Sequence, residues 1–203
     1  MLFFDTALKY LDLENYKENL APTTMRTYYW NLKKVTDFDP EAHCEDIDES
    51  FIRNYKAFLQ QKGDKPNTVA KALSVFRIFT RKMVADKLFE TDPFENIKVG
   101  RVYPRRNFLT IHELKRWYLH YLDNKQFLTK TQQNVMFVFL FSCFTGLRYS
   151  DLLSLDASEI FDWKIRKQTH KTGEPVYMPI PIRARLLLPE KLTQGPVFKV
   201  VEN

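Results

Sequence analysis

The stretch FSCFTGLRYSDLLSL, residues 141–155, leads from the end of an apolar helix into a short amphipathic one. Between them, the helix-breaking loop Thr145-Gly146-Leu147 places Arg148 directly after a hydrophobic segment. An arginine on an ordinary surface can lie almost anywhere at little cost. An arginine that a loop carries out of a hydrophobic helix is a candidate functional group.

A predicted β-hairpin follows this arginine loop. The segments DWKIRKQ (162–168) and PVYMPI (175–180) alternate well enough for two strands, and THKTGE (169–174) joins them as a tight turn. Lys171 lies at the tip of that turn. A lysine there is a protonated donor on a long stem, which can reach a bound duplex and protonate a leaving oxygen.

These two cations suggest chemistry on a phosphate. The guanidinium of Arg148 is a rigid fork that can bind two phosphate oxygens and keeps its charge near neutral pH. Without a metal, cationic side chains neutralise the charge of a pentacoordinate phosphate transition state. Asp151 follows one helical turn later, where its carboxylate can hold the guanidinium in place. The alternative is a surface ion pair between Arg148 and Asp151 and an ordinary exposed turn lysine at Lys171.

The sequence FTGLRYSDLLSL followed by THKTGEPVYMPI resembles the tyrosine recombinase (phage integrase) family. It is most similar to the integrases of conjugative transposons and related prophage-type elements. The resemblance implies that Arg148 is the first catalytic arginine, that Asp151 supports it and that Lys171 is the general acid for the 5′-hydroxyl. It also implies DNA strand breakage and rejoining through a 3′-phosphotyrosyl intermediate in the full-length parent, with no metal and no other cofactor. The implied partners are double-stranded DNA with its core site and, for the full-length parent, other recombinase protomers in a DNA-bound tetramer.

Other groups of the family's active site have no counterpart in these 203 residues. The family needs a His-x-x-Arg motif, a further His or Trp and a nucleophilic tyrosine near the C-terminus, and none of the four histidines has an arginine three positions later. Tyr149 abuts Arg148 and Tyr177 lies within the second strand, so both are poor nucleophiles. We therefore expect a fragment of a recombinase, or a naturally truncated one, that binds DNA, is inactive alone and lacks an arm-binding domain.

The resemblance covers nearly the whole chain and implies a mainly α fold in two domains. Residues 1–100 resemble an all-α, four- or five-helix core-binding (SAM-like) domain. Residues 105–203 resemble the N-terminal part of an incomplete α+β catalytic domain with the β-hairpin. Independently, apolar residues recur at helical spacing in the longest predicted helix of the first part, at Val69, Leu73, Phe76, Phe79 and Met83.

The segment 88–108 interrupts the helical pattern. It contains two prolines, one glycine and no helical period, which is typical of an interdomain linker. Beyond it, Thr110 and Glu113 match a capping box, and helices are predicted near 111–124 and 130–144. The second of these helices is almost wholly apolar, so we expect it to be central.

Charge is unevenly distributed along the chain. The net charge is +6, and residues 105–203 hold 15 Lys/Arg against nine Asp/Glu. Residues 50–87 hold nine Lys/Arg against two acids, a balance that favours a polyanionic partner, although an ordinary solvated face is the alternative. Tyr28, Tyr29 and Trp30 cannot all face inward, so at least one is expected at the surface. The residues predicted to contact DNA are Arg26, Lys33, Lys65, Asn67, Thr68, Lys71 and Arg77.

Cysteine usage and hydropathy indicate a cytoplasmic protein. Cys44 and Cys143 are isolated from each other in unlike contexts, as in a reduced compartment. No apolar run reaches the roughly 18 residues of a membrane span, and the first 20 residues lack the basic start of a signal peptide. The histidines and cysteines show no metal-ligand spacing.

Two other functions fit parts of the pattern. The chain can be a non-catalytic helical DNA-binding regulator in which Thr-Gly-Leu-Arg is coincidental, but the predicted hairpin disfavours this. It can also be a natural truncated competitor of a full-length recombinase.

Overall fold

The computed structural model describes residues 1–103, 105–170, 173–189, 192 and 194–198, and the chain divides into two compact units, Met1–Arg105 and Arg106–Asn203. The α-helices are α1 (Phe3–Glu18), α2 (Pro22–Phe38), α3 (Glu49–Gln61), α4 (Pro66–Ala85), α5 (Ile111–Asn124), α6 (Lys130–Thr145), α7 (Tyr149–Leu153) and α8 (Ile182–Arg185). The strands are β1 (Ile160–Phe161), β2 (Lys164–Gln168) and β3 (Pro175–Pro179). The predicted mainly α fold, with an all-α first part and an α+β second part that contains a hairpin, is confirmed.

The core of the first unit is built on α4. Every apolar residue predicted for the inner face of this helix is buried. Phe76 is 1% exposed, and its ring centre lies 4.8 Å from that of Phe3 and 5.6 Å from those of Tyr55 and Phe94. One aromatic side chain therefore packs against α1, α3 and the segment that follows α4.

The segment predicted as a linker, 88–108, belongs partly to the first unit. Pro93, Phe94 and Ile97 are buried, because the chain packs against α4 after that helix ends. Val99 also packs against this core, and the described residues after it have no helix or strand before α5. The prolines and the glycine indicated the missing helical period correctly, but they did not reveal the buried apolar residues between them.

The second unit packs helices against a small antiparallel sheet of order β1-β2-β3. The register pairs Ile165 with Met178 and Arg166 with Tyr177. Ile165 is buried and Arg166 is exposed, so alternate residues of β2 face the core, as the hairpin pattern predicted. The strand β1 was not predicted, since it has only two residues.

The helix α6, which its apolar sequence led us to expect as central, is buried on one side only. Leu140 and Phe141 are buried, whereas Val135 is 59% exposed, and Phe139 and Cys143 are also exposed. These three exposed residues are four positions apart and share one face of the helix. Among the described residues, α6 packs against α5, α7 and α8, which cover its other side.

The Thr110 capping box of α5 is confirmed. The Thr110 hydroxyl accepts from the Glu113 amide at 3.3 Å, and the Glu113 carboxylate accepts from the Thr110 amide at 2.8 Å. None of the described helices combines the length and the apolar composition that a membrane span requires.

Candidate functional site

A basic hollow lies between α2 and α4 in the first unit. It has a volume of about 390 Å³ and is lined by Trp30, Asn31, Lys34, Asn67, Thr68 and Lys71. The ammonium of Lys34 is 2.6 Å from the carboxylate of Asp64, which partly neutralises it. Lys71 is exposed and also lines a second hollow of about 180 Å³ at the start of α2. The charge of Lys71 can therefore act on a ligand in either hollow.

Most of the residues predicted to contact DNA lie at this surface or beside it. Four of them are exposed and make no side-chain hydrogen bond or ion pair within the described part of the chain: Arg26, Lys65, Thr68 and Lys71. The ammonium of Lys33 lies 5.1 Å from the ring centre of Trp30, which is 55% exposed. A cation held over an exposed aromatic face can meet both the phosphate and the sugar or base of a nucleic acid.

Two predicted DNA contacts have other partners in the structure. The side-chain amide of Asn67 makes two hydrogen bonds to the backbone of Val102. The guanidinium of Arg77 lies 6.0 Å from the ring centre of Phe94, and its Nε is buried. Both side chains thus hold the segment after α4 in place.

Trp30, Asn31 and Lys34 line the hollow but were not among the predicted DNA contacts. Trp30 belongs to the run of three aromatics of which one had to be exposed. Asn31 and Lys34 lie one and four positions after it, and Lys34 shares its helix face. Because Lys34 follows an exposed tryptophan by four positions on one helix, the sequence could have identified it as a residue of this surface.

The arginine loop of the second unit is fixed by its neighbours in sequence. Gly146 has φ = +71°, which a residue without a Cβ adopts readily, and its amide donates to Ser142 O at 2.7 Å to end α6. Leu147 is buried, and its carbonyl accepts from the Ser142 hydroxyl at 3.1 Å. Arg148 then begins α7 with a side chain that is 57% exposed. The buried leucine anchors the loop and the arginine points to solvent.

Asp151 connects this loop to the hairpin. Its side chain is 2% exposed, and Oδ2 is 3.9 Å from Nη1 of Arg148. The other oxygen, Oδ1, accepts a hydrogen bond from the backbone amide of His170 at 2.8 Å. The carboxylate therefore faces the guanidinium on one side and the hairpin backbone on the other.

Lys171 lies outside the described residues. The described residues on either side of it close the turn between β2 and β3, with hydrogen bonds from the Thr169 amide to Glu174 O and from the Gly173 amide to Thr169 O, both at 2.9 Å. Since His170 precedes Lys171 in the chain, the Asp151 contact ties the start of this turn to the arginine loop.

The tyrosines near these residues are exposed side chains. Tyr149 and Tyr177 are both at the surface, and a hydrogen bond from Arg166 lowers the pKa of Tyr177. The described residues contain no group of three or more His, Cys, Asp or Glu side chains that could hold a metal ion.

Comparison with known proteins shows which family this chain is similar to. Residues 2–99 match the model of the phage integrase SAM-like domain. The tyrosine recombinase XerC of Pelotomaculum thermopropionicum is 28% identical in an alignment of 167 residues that covers 77% of this chain and 52% of that protein. This chain is therefore similar to tyrosine recombinases. The tyrosine recombinase XerD of Halalkalibacterium halodurans is 22% identical in an alignment of 157 residues that covers 75% of this chain and 51% of that protein. The chain thus spans about half the length of the curated relatives it matches.

Solved structures of two integrases have a similar fold. A lambda integrase(75–356) dimer bound to a COC′ core site matches with a TM-score of 0.76 and 19% identity, over 93% of this chain and 68% of that chain. The Tn1549 transposon integrase (aa 82–397), in complex with circular intermediate DNA, matches with a TM-score of 0.68 and 14% identity, over 90% of this chain and 62% of that chain.

The contacts of Asp151 predict a difference between two substitutions. Asp151→Ala removes the acceptor of the His170 amide, and we expect it to destabilise the second unit by about 2 kcal/mol, as for a hydrogen bond to a charged group. Asp151→Asn keeps an oxygen of the same shape and should cost less than about 1 kcal/mol. Urea unfolding measures both, and hydrogen exchange at the His170 amide should be fast only in Asp151→Ala. Equal destabilisation by the two variants would show that charge, and not the hydrogen bond, is what Asp151 supplies.

Proposed function

We propose that this chain is the DNA-binding part of a site-specific tyrosine recombinase, and that the basic hollow between α2 and α4 binds duplex DNA. The observation that carries the proposal is the position of Lys71 between two hollows, with Trp30 and Lys33 beside it at the surface. Exposed lysines near one another attract the phosphate backbone and release its counterions. Such contacts position a protein on DNA without reading its sequence.

The proposal for the second unit is that it contributes part of an active site for strand exchange. Arg148 is exposed and is oriented by a buried carboxylate, as a guanidinium that binds a phosphate should be. Lys171 is proposed as the general acid, supported by the contact of Asp151 with the residue before it. Neither role needs a metal or a high-energy cofactor. The subtype, an integrase of a conjugative transposon or prophage, stays a prediction.

The proposed partners follow from the relatives. The lambda integrase structures include a dimer bound to a core site and a tetramer bound to a Holliday junction. We propose that a full-length protein containing this chain likewise assembles with other recombinase protomers on double-stranded DNA. The unpaired thiols of Cys44 and Cys143 support a cytoplasmic location.

The first unit's role is tested by reversing the charge of Lys71, which lines the hollow, and of Lys65, which precedes α4 beside it. In Lys65→Glu/Lys71→Glu, we expect the affinity for a 30-base-pair duplex of arbitrary sequence to fall by about 30-fold or more at 100 mM NaCl. The slope of log K against log[salt] should become shallower by about 2, because two phosphate contacts are lost. Arg77 is left unchanged, since it packs on Phe94. Fluorescence anisotropy between 50 and 200 mM NaCl measures both quantities.

A matched control reverses two exposed lysines of α1, Lys9 and Lys17, which do not line the hollow. Lys9→Glu/Lys17→Glu changes the net charge by the same amount, so its effect measures the contribution of overall charge. Equal losses in the two double variants would contradict the placement of DNA at the hollow.

A further inference from the structure

The segment that follows α4 lies along this helix in the reverse direction. Near the end of α4, Nε of Arg81 is 3.3 Å from the carboxylate of Asp92. One turn earlier, Arg77 stacks over Phe94. Further toward the start of the helix, Lys98, Val99 and Gly100 line a hollow of about 160 Å³ together with Pro66, Val69, Ala70 and Leu73 of α4. The chain therefore returns along the helix toward its first turn, where the basic hollow lies.

Two hydrogen bonds between Asn67 and Val102, called the bracket below, hold the end of this segment against α4. Nδ2 of Asn67 donates to Val102 O at 2.8 Å, and Oδ1 of Asn67 accepts from the Val102 amide at 2.9 Å. One side-chain amide thus satisfies both backbone groups of one residue, as a neighbouring strand would. Val102 is 57% exposed, so burial does not explain its position. The bracket fixes the backbone at the surface.

The bracketed segment carries positive charge. No acidic residue occurs between Glu95 and Glu113. Lys98 and Arg101 are both exposed, and neither forms an ion pair within the described ranges. Asn67 itself lines the basic hollow, so its bracket to Val102 places the neighbouring Arg101 close to that hollow.

We propose that the segment 98–103 is part of the DNA-binding surface and that Asn67 is a positioning residue that holds it there. This rests on the proposed function of the hollow. A flexible basic segment would have to be ordered when DNA binds, whereas a bracketed segment is ordered beforehand and loses less entropy on binding. Asn67 then acts through Lys98 and Arg101, and not by touching DNA as its sequence position suggested. The ligand chemistry is the phosphate backbone of the duplex next to the hollow.

The test is a double-mutant cycle on the full chain with the same 30-base-pair duplex at 100 mM NaCl. Lys98→Gln/Arg101→Gln should weaken binding by about tenfold and make the salt slope shallower by about 2. Asn67→Ala should weaken binding by about fivefold in the native chain, but by less than twofold once Lys98 and Arg101 are neutral, because a positioning effect needs the groups that it positions. Asn54→Ala, an exposed asparagine on α3, is the matched control and should bind like the native chain.

Three results would overturn the inference. Binding of Lys98→Gln/Arg101→Gln within twofold of the native chain would exclude the segment from the surface. An equal loss for Asn67→Ala in both backgrounds would make Asn67 a direct DNA contact. Unchanged hydrogen exchange at the Val102 amide in Asn67→Ala would show that the bracket does not hold the segment. The charge reversal at Lys65 and Lys71 remains the separate test of the hollow, so a failure of this inference is distinguishable from a failure of the proposed function.

Discussion

Phe76→Ala should destabilise the first unit by about 3–5 kcal/mol, the usual cost of removing a fully buried phenylalanine. The ring is almost completely buried and lies within 6.3 Å, centre to centre, of four other aromatic rings. These rings belong to α1, α3 and the segment after α4, so the cavity would open where all of them meet. Because α1, α3 and the segment after α4 come from different parts of the chain, they cannot all move inward together to fill this cavity.

Hydrogen exchange with increasing urea separates this effect from the behaviour of the second unit, since two units need not unfold in one step. Amides of α4 and α1 should lose protection in Phe76→Ala while amides of α6 keep it. Leu13→Ala, which removes a half-exposed apolar side chain of α1, is the control and should cost less than about 1 kcal/mol. A loss below 1 kcal/mol in Phe76→Ala would mean that this core is not organised around α4.

The features that the sequence predicted correctly depend on residues close together in the chain. The buried face of α4 follows from apolar spacing of three and four, and the α5 start follows from Thr110 and Glu113. The turn at Gly146 and the outward Arg148 likewise arise within a few residues. Local geometry decides each of these, so a single sequence is sufficient.

The features that the sequence did not predict depend on contacts between residues far apart in the chain. Asn67 lies 35 positions from Val102, and the amide of His170 lies 19 positions from the carboxylate that accepts from it. A polar residue in a basic segment therefore looked like a DNA contact, although its hydrogen bonds are made within the protein. The apolar sequence of α6 likewise could not show which of its faces the described residues leave uncovered.

If Arg148 and Lys171 act in strand cleavage, covalent attachment to DNA should be all-or-none. Strand cleavage by this family requires a nucleophile, several donors to the phosphate and an acid for the leaving group, and groups that act as one unit lose function together. The 203 residues carry Arg148 and Lys171 but neither a His-x-x-Arg motif nor a tyrosine placed as a nucleophile. We therefore expect the chain to bind duplex DNA without becoming covalently joined to it.

A nicked suicide duplex, resolved on a denaturing gel, tests this expectation. An adduct that maps to Tyr149, Tyr177 or any other tyrosine of the chain would contradict it. In a longer chain that supplies the groups without a counterpart here, the adduct should form, and Arg148→Ala should reduce its rate by about 10²–10³-fold or more, as for the loss of one transition-state donor. DNA affinity should stay within about tenfold, since the binding surface proposed for the first unit is unchanged. Full cleavage with lost binding in Arg148→Ala would contradict the role of Arg148, because a transition-state donor must affect the chemical step more than the affinity.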